Sequence, residues 1–289
     1  MADYDFDIGV IGGGAGGLTV TSGAAQLGAK TLLVEKEKEL GGDCLHFGCV
    51  PSKTLIKTAH VYHWMKNSEK FGLPAVDLPP VDFREISKRI KSVIGTIQHH
   101  DSKERFCNLG ARVEFGRPTF IDEHSIRLNG HTHSAKTWVI ATGSSPVAPP
   151  IKGLDKTHYI TNKEIFYLDH LPKSMIVLGG GPIGTEMAQA FCRLGTKVSV
   201  VNRAPQILAK EDTDMADTVK EVLSAEGVDF YLNSSIEEVN GLGREKEVKI
   251  KTSEGSTISL TAETVLVALG RAANTNDLGL EKIGIEYAP

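Results

Sequence analysis

The sequence predicts an α/β fold of two successive units, each a parallel sheet with helices on both faces, giving three layers. Two observations carry this prediction. A glycine-rich motif follows a short apolar run twice, at residues 12–17 and 179–184, so the second copy comes 167 positions after the first. Each copy leads into a helix-compatible stretch and a second apolar run, and this alternation is typical of parallel sheets.

The strands and helices of the first unit follow from its apolar runs and its longer periodic stretches. Its strands are expected at 5–11, 30–35, 112–115, 125–128 and 137–141. Its helices are expected at 15–27, 49–66 and 82–108. The helices after residue 41 belong to an insertion of about 40 residues that has no counterpart in the second unit.

The second unit begins after the stretch 146–153, whose three prolines and final glycine predict a linker. Its strands are expected at 175–178, 197–201, 228–232, 247–252, 257–260 and 264–268, and its helices at 182–194 and 213–226. We therefore predict domains over 1–149 and 150–271, followed by a short stretch over 272–289.

The composition argues against several other classes of protein. A length of 289 residues suits about two domains, and 40% hydrophobic with 24% charged residues is ordinary for a globular chain. The formal net charge of −4 gives no basic field for nucleic acid. No apolar run approaches the ~18 residues of a membrane helix, and the acidic start lacks the basic region of a signal peptide. We expect a cytoplasmic protein that binds neither nucleic acid nor membrane.

Both glycine motifs have the spacing of a dinucleotide-binding turn between a strand and a helix. The first glycine makes the turn, the second lets the backbone approach a pyrophosphate, and the third lets the helix pack on the strand. Glu35 ends the second strand of the first unit, where an acid binds ribose, and the neutral Asn202 stands at the matching place in the second. A pair of ordinary strand–helix turns is the alternative.

Cys44 and Cys49 form the only close cysteine pair in the sequence. In an ideal helix their Cα atoms would lie about 9 Å apart, which exceeds the ~7 Å that a disulfide allows. A bonded pair therefore requires a break in the helix, which Gly48 permits. Three alternatives stand: a redox-active pair, a zinc site with His46, or two buried unpaired cysteines. Cys107 and Cys192 are expected to be small core residues.

These motifs, in this order, resemble those of the flavoprotein disulfide reductases, the pyridine nucleotide-disulfide oxidoreductases such as dihydrolipoamide dehydrogenase, glutathione reductase and mercuric reductase. The resemblance covers essentially all 289 residues. It implies a Rossmann-like FAD domain followed by a Rossmann-like NAD(P)H domain. Electrons would pass from NADPH or NADH through FAD to a Cys44–Cys49 disulfide, with Cys49 on the flavin side, and on to a small disulfide or metal-ion substrate.

The resemblance also implies a set of site residues, without a bound metal ion. The catalytic residues would be Cys44, Cys49, Lys53 and Glu186, the last two paired beside the flavin unless they are two solvated helix charges. FAD would contact Gly12, Gly14, Ala15, Gly16, Gly17, Glu35, Lys36, Gly42, Asp43, Lys53, Gly116, Ala141, Thr142, Gly143 and Ser144. The nicotinamide nucleotide would contact Gly179, Gly181, Pro182, Ile183, Gly184, Glu186, Asn202, Arg203 and Gly270.

Two departures qualify these expectations. Members of the family continue with a further flavin-contacting strand and an interface domain, which supplies a His-Glu pair across a homodimer. Residues 272–289 would only begin that return, so we expect little reductase activity from this chain, and a cofactor-binding fragment without turnover is the alternative function. The neutral Asn202 followed by Arg203 favours NADPH over NADH, because a guanidinium can grip a 2′-phosphate.

Overall fold

A computed structural model describes residues 4–287 and divides the chain into two compact units. The first unit contains the described chain up to Val50, then Ser92–Ser145, and the described chain from Ala272. The second unit contains Pro51–Lys91 and Pro146–Arg271.

Part of the helical insertion groups with the second unit, although the sequence placed all of it in the first domain. The cause is packing: the rings of Phe83 and Phe191 stack with centroids 5.4 Å apart. In addition, the Ser87 hydroxyl lies 3.1 Å from the Phe166 carbonyl and 3.2 Å from the Leu168 carbonyl.

The first unit is built on a six-stranded sheet. Its strands are β1 (Phe6–Ile11), β2 (Thr31–Glu35), β3 (Ala111–Phe115), β4 (Thr119–Phe120), β5 (Ser125–Leu128) and β6 (His131–Ile140). Their spatial order is β3-β2-β1-β6-β5-β4. The first four strands in that order are parallel, and β5 and β4 extend the sheet as an antiparallel meander. The helices that begin in this unit or cross into it are α1 (Ala15–Gln26), α2 (Gly42–His46), α3 (Cys49–Lys66), α4 (Phe83–Gln98) and α5 (Lys103–Asn108).

A glycine in β1 makes room for a large aromatic side chain on the neighbouring strand. Gly9 pairs with Trp138 of β6, and a Cβ atom on Gly9 would lie 2.2 Å from the indole ring. The indole Nε1 donates to the His124 carbonyl at 2.8 Å, and the ring meets Phe120 edge-on. The indole ring of Trp138 therefore packs directly against β1 at Gly9, and its N–H has a hydrogen-bond acceptor.

The second unit contains a four-stranded parallel sheet and a separate three-stranded antiparallel sheet, in the orders β10-β9-β8-β14 and β11-β12-β13. After β7 (Ser144–Pro146), its elements are β8 (Ser174–Leu178), α6 (Pro182–Leu194), β9 (Lys197–Val201), α7 (Thr213–Glu226), β10 (Asp229–Tyr231), β11 (Ser235–Leu242), β12 (Glu245–Lys251), β13 (Thr257–Ala262) and β14 (Thr264–Val267). A last strand, β15 (Arg271–Ala273), pairs with β7.

The α/β fold with parallel sheets is confirmed, one predicted helix was wrong, and one long strand was missed. The helix expected over 82–108 is two helices, α4 and α5, because Ser102 caps a new helix by accepting from the Arg105 N–H at 3.3 Å. The strand β11 was not predicted at all. None of the helices within residues 4–287 has the length and apolarity that crossing a bilayer requires.

Candidate active site and nucleotide-binding turns

The turn between β1 and α1 leaves no room for side chains at two of its glycines. Gly12 has φ +110°, and a Cβ there would lie 2.3 Å from the Ala141 carbonyl oxygen. A Cβ on Gly17 would lie 1.8 Å from the carbonyl oxygen of Gly12. By contrast, a Cβ on Gly16 would meet nothing within 4 Å. The turn is therefore closed toward the sheet and open at the start of α1.

The turn between β8 and α6 repeats this geometry in the second unit. Gly179 has φ +109°, and a Cβ there would lie 2.4 Å from the Ala268 carbonyl oxygen. A Cβ on Gly184 would lie 2.0 Å from the Gly179 carbonyl oxygen, while a Cβ on Gly181 would meet nothing within 4 Å. The same close contacts in both units show that the sequence repeat is a structural repeat.

Glu35 presents a buried carboxylate of fixed orientation at the end of β2. Its side chain is buried, its Oε2 accepts from the Gly13 N–H at 2.6 Å, and its Oε1 accepts from the Glu37 N–H at 2.7 Å. Each carboxylate oxygen can accept a further hydrogen bond. Together with the uncapped start of α1, whose N-cap residue Gly14 makes no side-chain hydrogen bond, this donor and acceptor set fits a ribose and a pyrophosphate.

Asn202 occupies the matching place in the second unit. Its Oδ1 accepts from the Gly180 N–H at 3.1 Å, as Glu35 does from Gly13. The next residue, Arg203, is exposed and forms no ion pair within residues 4–287. The position therefore carries an amide in place of a carboxylate, with an exposed cation directly after it.

The segment that carries Cys44 is fixed on the first glycine turn. Gly41 forms an isolated bridge with Gly14, and the Gly41 N–H donates to the Gly13 carbonyl at 2.8 Å. Gly42 follows with φ +59°, and a Cβ on it would lie 2.6 Å from the Gly14 Cα. Because of this close approach, α2 begins directly beside the turn that would hold the pyrophosphate.

Cys44 and Cys49 lie on two helices with a break between them, which is the condition that a bonded pair requires. Cys44 is in α2, which ends at His46, and Cys49 is the first residue of α3. Both are thiols in this structure. Burial and a hydrogen bond with Cys49 raise the pKa of the Cys44 thiol to about 11. The two sulfur atoms are thus neighbours, and their disulfide in the oxidised state stays a prediction.

The structure also bears on the other expectations for the cysteines: two buried unpaired thiols, a zinc site with His46, and core positions for Cys107 and Cys192. Cys49 is exposed, so the reading of two buried cysteines is wrong. Within residues 4–287 no three His, Cys, Asp or Glu side chains are arranged to hold a metal ion, and the Nε2 of His46 lies 3.1 Å from the Leu40 carbonyl oxygen. Cys107 is exposed rather than a core residue, because its neighbour Phe106 takes the buried face of α5, and Cys192 is half-buried.

Lys53 and Glu186 are in contact within the second unit. The Lys53 Nζ lies 2.5 Å from the Glu186 Oε1. The lysine is carried by α3 and the glutamate by the first turns of α6, directly after the second glycine turn. The structure thus brings together the two charges that the resemblance pairs.

Asn274, which the sequence reasoning did not single out, organises the loop after β6. Its Nδ2 donates to the Thr142 carbonyl at 2.8 Å, and its N–H donates to the Gly143 carbonyl at 2.9 Å. The Thr142 hydroxyl donates back to the Asn274 carbonyl at 2.7 Å, and the Ser145 hydroxyl donates to the Asn274 Oδ1 at 2.8 Å. The available signal was the string ALGRAANT, in which Asn274 stands close after Gly270.

The other sequence-predicted positions fall around these turns, each within its own unit. In the first unit, Gly116 follows β3 and its N–H donates to the Glu35 carbonyl at 2.8 Å. The rest are placed as follows: Ala15 at the start of α1, Lys36 exposed after β2, Asp43 in α2, Ser144 in β7, Pro182 and Ile183 at the start of α6, and Gly270 with φ +142° after β14.

The chain is similar in sequence to two groups of known proteins. The chain is 34% identical over 292 residues to the mitochondrial dihydrolipoyl dehydrogenase of Schizosaccharomyces pombe, covering 97% of this chain and 56% of the relative. It is 30% identical over 282 residues to the mercuric reductase of Lysinibacillus sphaericus, covering 98% and 51%. The chain therefore spans little more than half the length of these relatives.

A solved structure matches over the whole chain. It is the Cu(II) complex of the HOCl-induced flavoprotein disulfide reductase RclA from Escherichia coli, with a TM-score of 0.84 and 28% identity over 100% of this chain and 61% of the other. The family model described as pyridine nucleotide-disulphide oxidoreductase matches residues 6–289. With two glycine turns of the same geometry and a cysteine pair beside the first, the chain belongs to the pyridine nucleotide-disulphide oxidoreductase family.

Proposed function

We propose that this protein passes electrons from NADPH, through FAD, to the Cys44–Cys49 pair and then to a disulfide or metal-ion substrate. One observation carries the proposal: the Cys44 thiol hydrogen-bonds to Cys49 on a segment that is fixed against the first glycine turn at Gly14. The names of the relatives, dihydrolipoyl dehydrogenase and mercuric reductase, indicate the two substrate classes.

The residues that would hold FAD are the glycine turn from Gly12 to Gly17, Glu35 and the loop from Thr142 to Ser144. Bound FAD would supply the acceptance of a hydride and the delivery of two electrons to the disulfide. The Glu35 carboxylate would accept bonds from the ribose hydroxyls, because two backbone N–H groups already fix its orientation. The amide N–H groups at the start of α1 would bind the pyrophosphate.

The two cysteines have different roles in this proposal. Cys49 is the first residue of α3, and we place it on the flavin side, as the resemblance implies. The Cys44 thiol remains protonated at neutral pH, because burial and the hydrogen bond with Cys49 raise its pKa to about 11. Exchange with a disulfide requires a thiolate, so Cys44 needs a general base to react. We propose that the partner subunit of a homodimer supplies that base.

NADPH is the preferred nucleotide in this proposal. The neutral Asn202 places no carboxylate where NAD sites have one, and the exposed Arg203 is available to grip a 2′-phosphate. Lys210, on the same loop, is also exposed. Pro182 at the first position of α6 suits a helix start at which N–H groups face a phosphate.

The second candidate function is cofactor binding without turnover by the 289-residue chain. The raised pKa of Cys44 favours it, because general acid–base help typically contributes about 10²–10⁴-fold to a rate. The two candidates differ in one measurement. Reduction of a lipoamide-type disulfide by NADPH requires the whole sequence of transfers, whereas reduction of a small dye requires only the nucleotide and flavin sites.

The test is a thiol count before and after NADPH. The chain is loaded with FAD, oxidised with diamide and titrated anaerobically, and exposed thiols are then labelled. We expect one new pair of thiols in the parent chain and in Cys107→Ser, a matched control at an exposed cysteine on α5. Cys44→Ser and Cys49→Ser should gain none. A parent chain with bound FAD that gains no thiols would refute the proposal.

A further inference from the structure

The amide of Asn202 is fully engaged with the backbone of its own unit. Its Oδ1 accepts from the Gly180 N–H at 3.1 Å. Its Nδ2 donates to the Gln206 carbonyl at 2.8 Å and approaches the Ala204 carbonyl at 3.4 Å. Both amide hydrogens therefore face the loop that follows β9, and Asn202 joins this loop to the second glycine turn.

A carboxylate could not make this set of bonds. Glu35, at the matching place in the first unit, accepts from two backbone N–H groups and donates to nothing. An ionised Asp at position 202 could keep the bond from Gly180, but it has no hydrogen for the Gln206 carbonyl. Asparagine at position 202 therefore has two effects. Its amide holds the loop, and it leaves the position without a negative charge.

The loop over 203–211 takes a conformation that needs such support. Leu208 has φ +50°, a left-handed backbone conformation that is rare for a bulky residue. Its N–H donates to the Gly180 carbonyl at 2.7 Å, so a second bond ties the loop to the same glycine. The Ile207 side chain is buried, and the Gln206 Nε2 donates to the Glu211 carbonyl at 3.1 Å.

Two cations lie on this loop. Arg203 and Lys210 are both exposed, and neither forms an ion pair with another residue in the described part of the chain. Between them lie the anchored residues Gln206 and Leu208. The bonds of Asn202 and Leu208 therefore fix the path of the backbone that carries both charges.

We infer that Asn202 is a positioning residue: its amide folds the 203–211 loop so that Arg203 and Lys210 are presented together to the 2′-phosphate of NADPH. This role rests on the nucleotide preference proposed above. Asn202 does more than omit a negative charge, and replacing it with Asp does not turn this site into an NADH site. The loss of the two donated bonds releases the loop.

Hydrogen exchange of the 289-residue chain, without nucleotide, tests the loop directly. We compare Asn202→Asp, which keeps the acceptor and loses the donors, with Asn202→Ala, which loses both without adding charge. The peptide over 203–211 should exchange about five- to tenfold faster in both variants, since each loses bonds of ordinary strength. Lys210→Gln changes the net charge as Asn202→Asp does, without touching these bonds, and should exchange like the parent chain.

Fluorescence titration with NADPH and NADH supplies the second readout. We expect both Asn202 variants to bind NADPH about tenfold more weakly, as for the loss of one or two hydrogen bonds, and neither to bind NADH more tightly. Unchanged exchange in both variants, or an Asn202→Asp variant that trades NADPH for NADH, would overturn the inference. A parent chain that binds neither nucleotide would refute the proposed function, and the exchange data would still decide whether Asn202 holds the loop.

Discussion

Lys53 and Glu186 form a salt bridge of 2.5 Å between α3 and α6. Their side chains keep 62% and 39% of their surface exposed. An ion pair this exposed typically adds only about 0–1 kcal/mol to stability. Because the pair adds so little to stability, we expect its main role to be at the flavin, as the resemblance implies.

The first prediction separates these two roles with Lys53→Met. The unfolding free energy should change by less than about 1 kcal/mol, because the pair is exposed. The midpoint potential of bound FAD should fall by about 30 mV or more, roughly 1.4 kcal/mol for two electrons, because a cation that favours the anionic reduced flavin is lost. Spectroelectrochemistry of the FAD-loaded chain measures the shift.

Lys57→Met is the matched control for that measurement. Lys57 lies one turn further along α3 and rests over the ring of Trp64, 5.0 Å from its centroid. It has no part in the Glu186 pair, so its loss should leave the potential unchanged. Equal shifts in the two variants would show that only the net charge of the helix matters.

Much of the fold could be read from local patterns. The helix predicted over 49–66 is the observed α3, and the strands predicted over 175–178 and 197–201 are β8 and β9 to within a residue. Each is an apolar or periodic stretch that ends at a glycine or a change in polarity, and such signals are local. The two glycine turns could be predicted equally well, because side chains would clash at fixed positions of such a turn and only glycine fits there.

What the sequence hid depends on contacts between distant residues. Strand β11 carries Glu and Asn side chains, and Val239 is its only fully buried residue, so it shows no clear alternation. Asn274 binds Thr142, 132 positions away in the chain. The role of the Asn202 amide likewise depends on where the Gln206 carbonyl points, which no residue pattern states.

The second prediction concerns the reactivity of Cys44. With its pKa raised to about 11 by burial and the bond with Cys49, Cys44 should alkylate slowly at pH 8 and much faster as the pH approaches 11. Cys49→Ala removes the bond and should speed alkylation of Cys44 at pH 8. Iodoacetamide labelling in a Cys107→Ser, Cys192→Ser background, read by mass spectrometry, gives both rates. A Cys44 that alkylates no faster in Cys49→Ala would contradict this account of its pKa.

The third prediction contrasts two glycines of α1. Gly17→Ala forces a Cβ against the Gly12 carbonyl oxygen at 1.8 Å, so stability should fall by about 1–3 kcal/mol or more, as overpacking does. Gly23 is exposed, and a Cβ on it would meet nothing within 4 Å. Gly23→Ala should therefore stabilise the helix by up to about 1 kcal/mol. Urea unfolding of the two variants and the parent chain checks both signs.

The fourth prediction is a pH dependence centred on His170. Its Nε2 lies 2.6 Å from the Glu263 Oε1 and its Nδ1 lies 2.5 Å from the Asp169 Oδ1. These two hydrogen bonds raise the pKa of His170 above its ordinary value of 6.5. The stabilisation is fully present below about pH 6.5 and is lost as the pH rises through the raised value.

His170→Gln should therefore destabilise the protein more at pH 6 than at pH 9. The difference should stay below about 1 kcal/mol, because the side chain is exposed and its charge is screened by solvent. Unfolding free energies at the two pH values measure it. His158→Gln, at an exposed histidine of the same unit, is the matched control. If the effect of His170→Gln on stability does not vary with pH, the charge of His170 does not explain its contribution to stability.

The last prediction concerns Arg203 and the choice of nucleotide. The guanidinium is exposed and follows an uncharged Asn202, so it is available to a 2′-phosphate and has nothing to bind on the unphosphorylated ribose of NADH. Arg203→Ala should weaken NADPH binding by about tenfold, as the loss of a charge-assisted hydrogen bond of about 1.5 kcal/mol would, and leave NADH binding within about twofold.

Arg244→Ala, which removes an exposed cation from the turn between β11 and β12, is the control for net charge. Because long-range attraction between charges is screened and a bidentate contact is screened much less, the discrimination between the nucleotides should persist at high salt in the parent chain. Equal losses in Arg203→Ala and Arg244→Ala, or a discrimination that vanishes in salt, would assign the preference to the overall field instead of this contact.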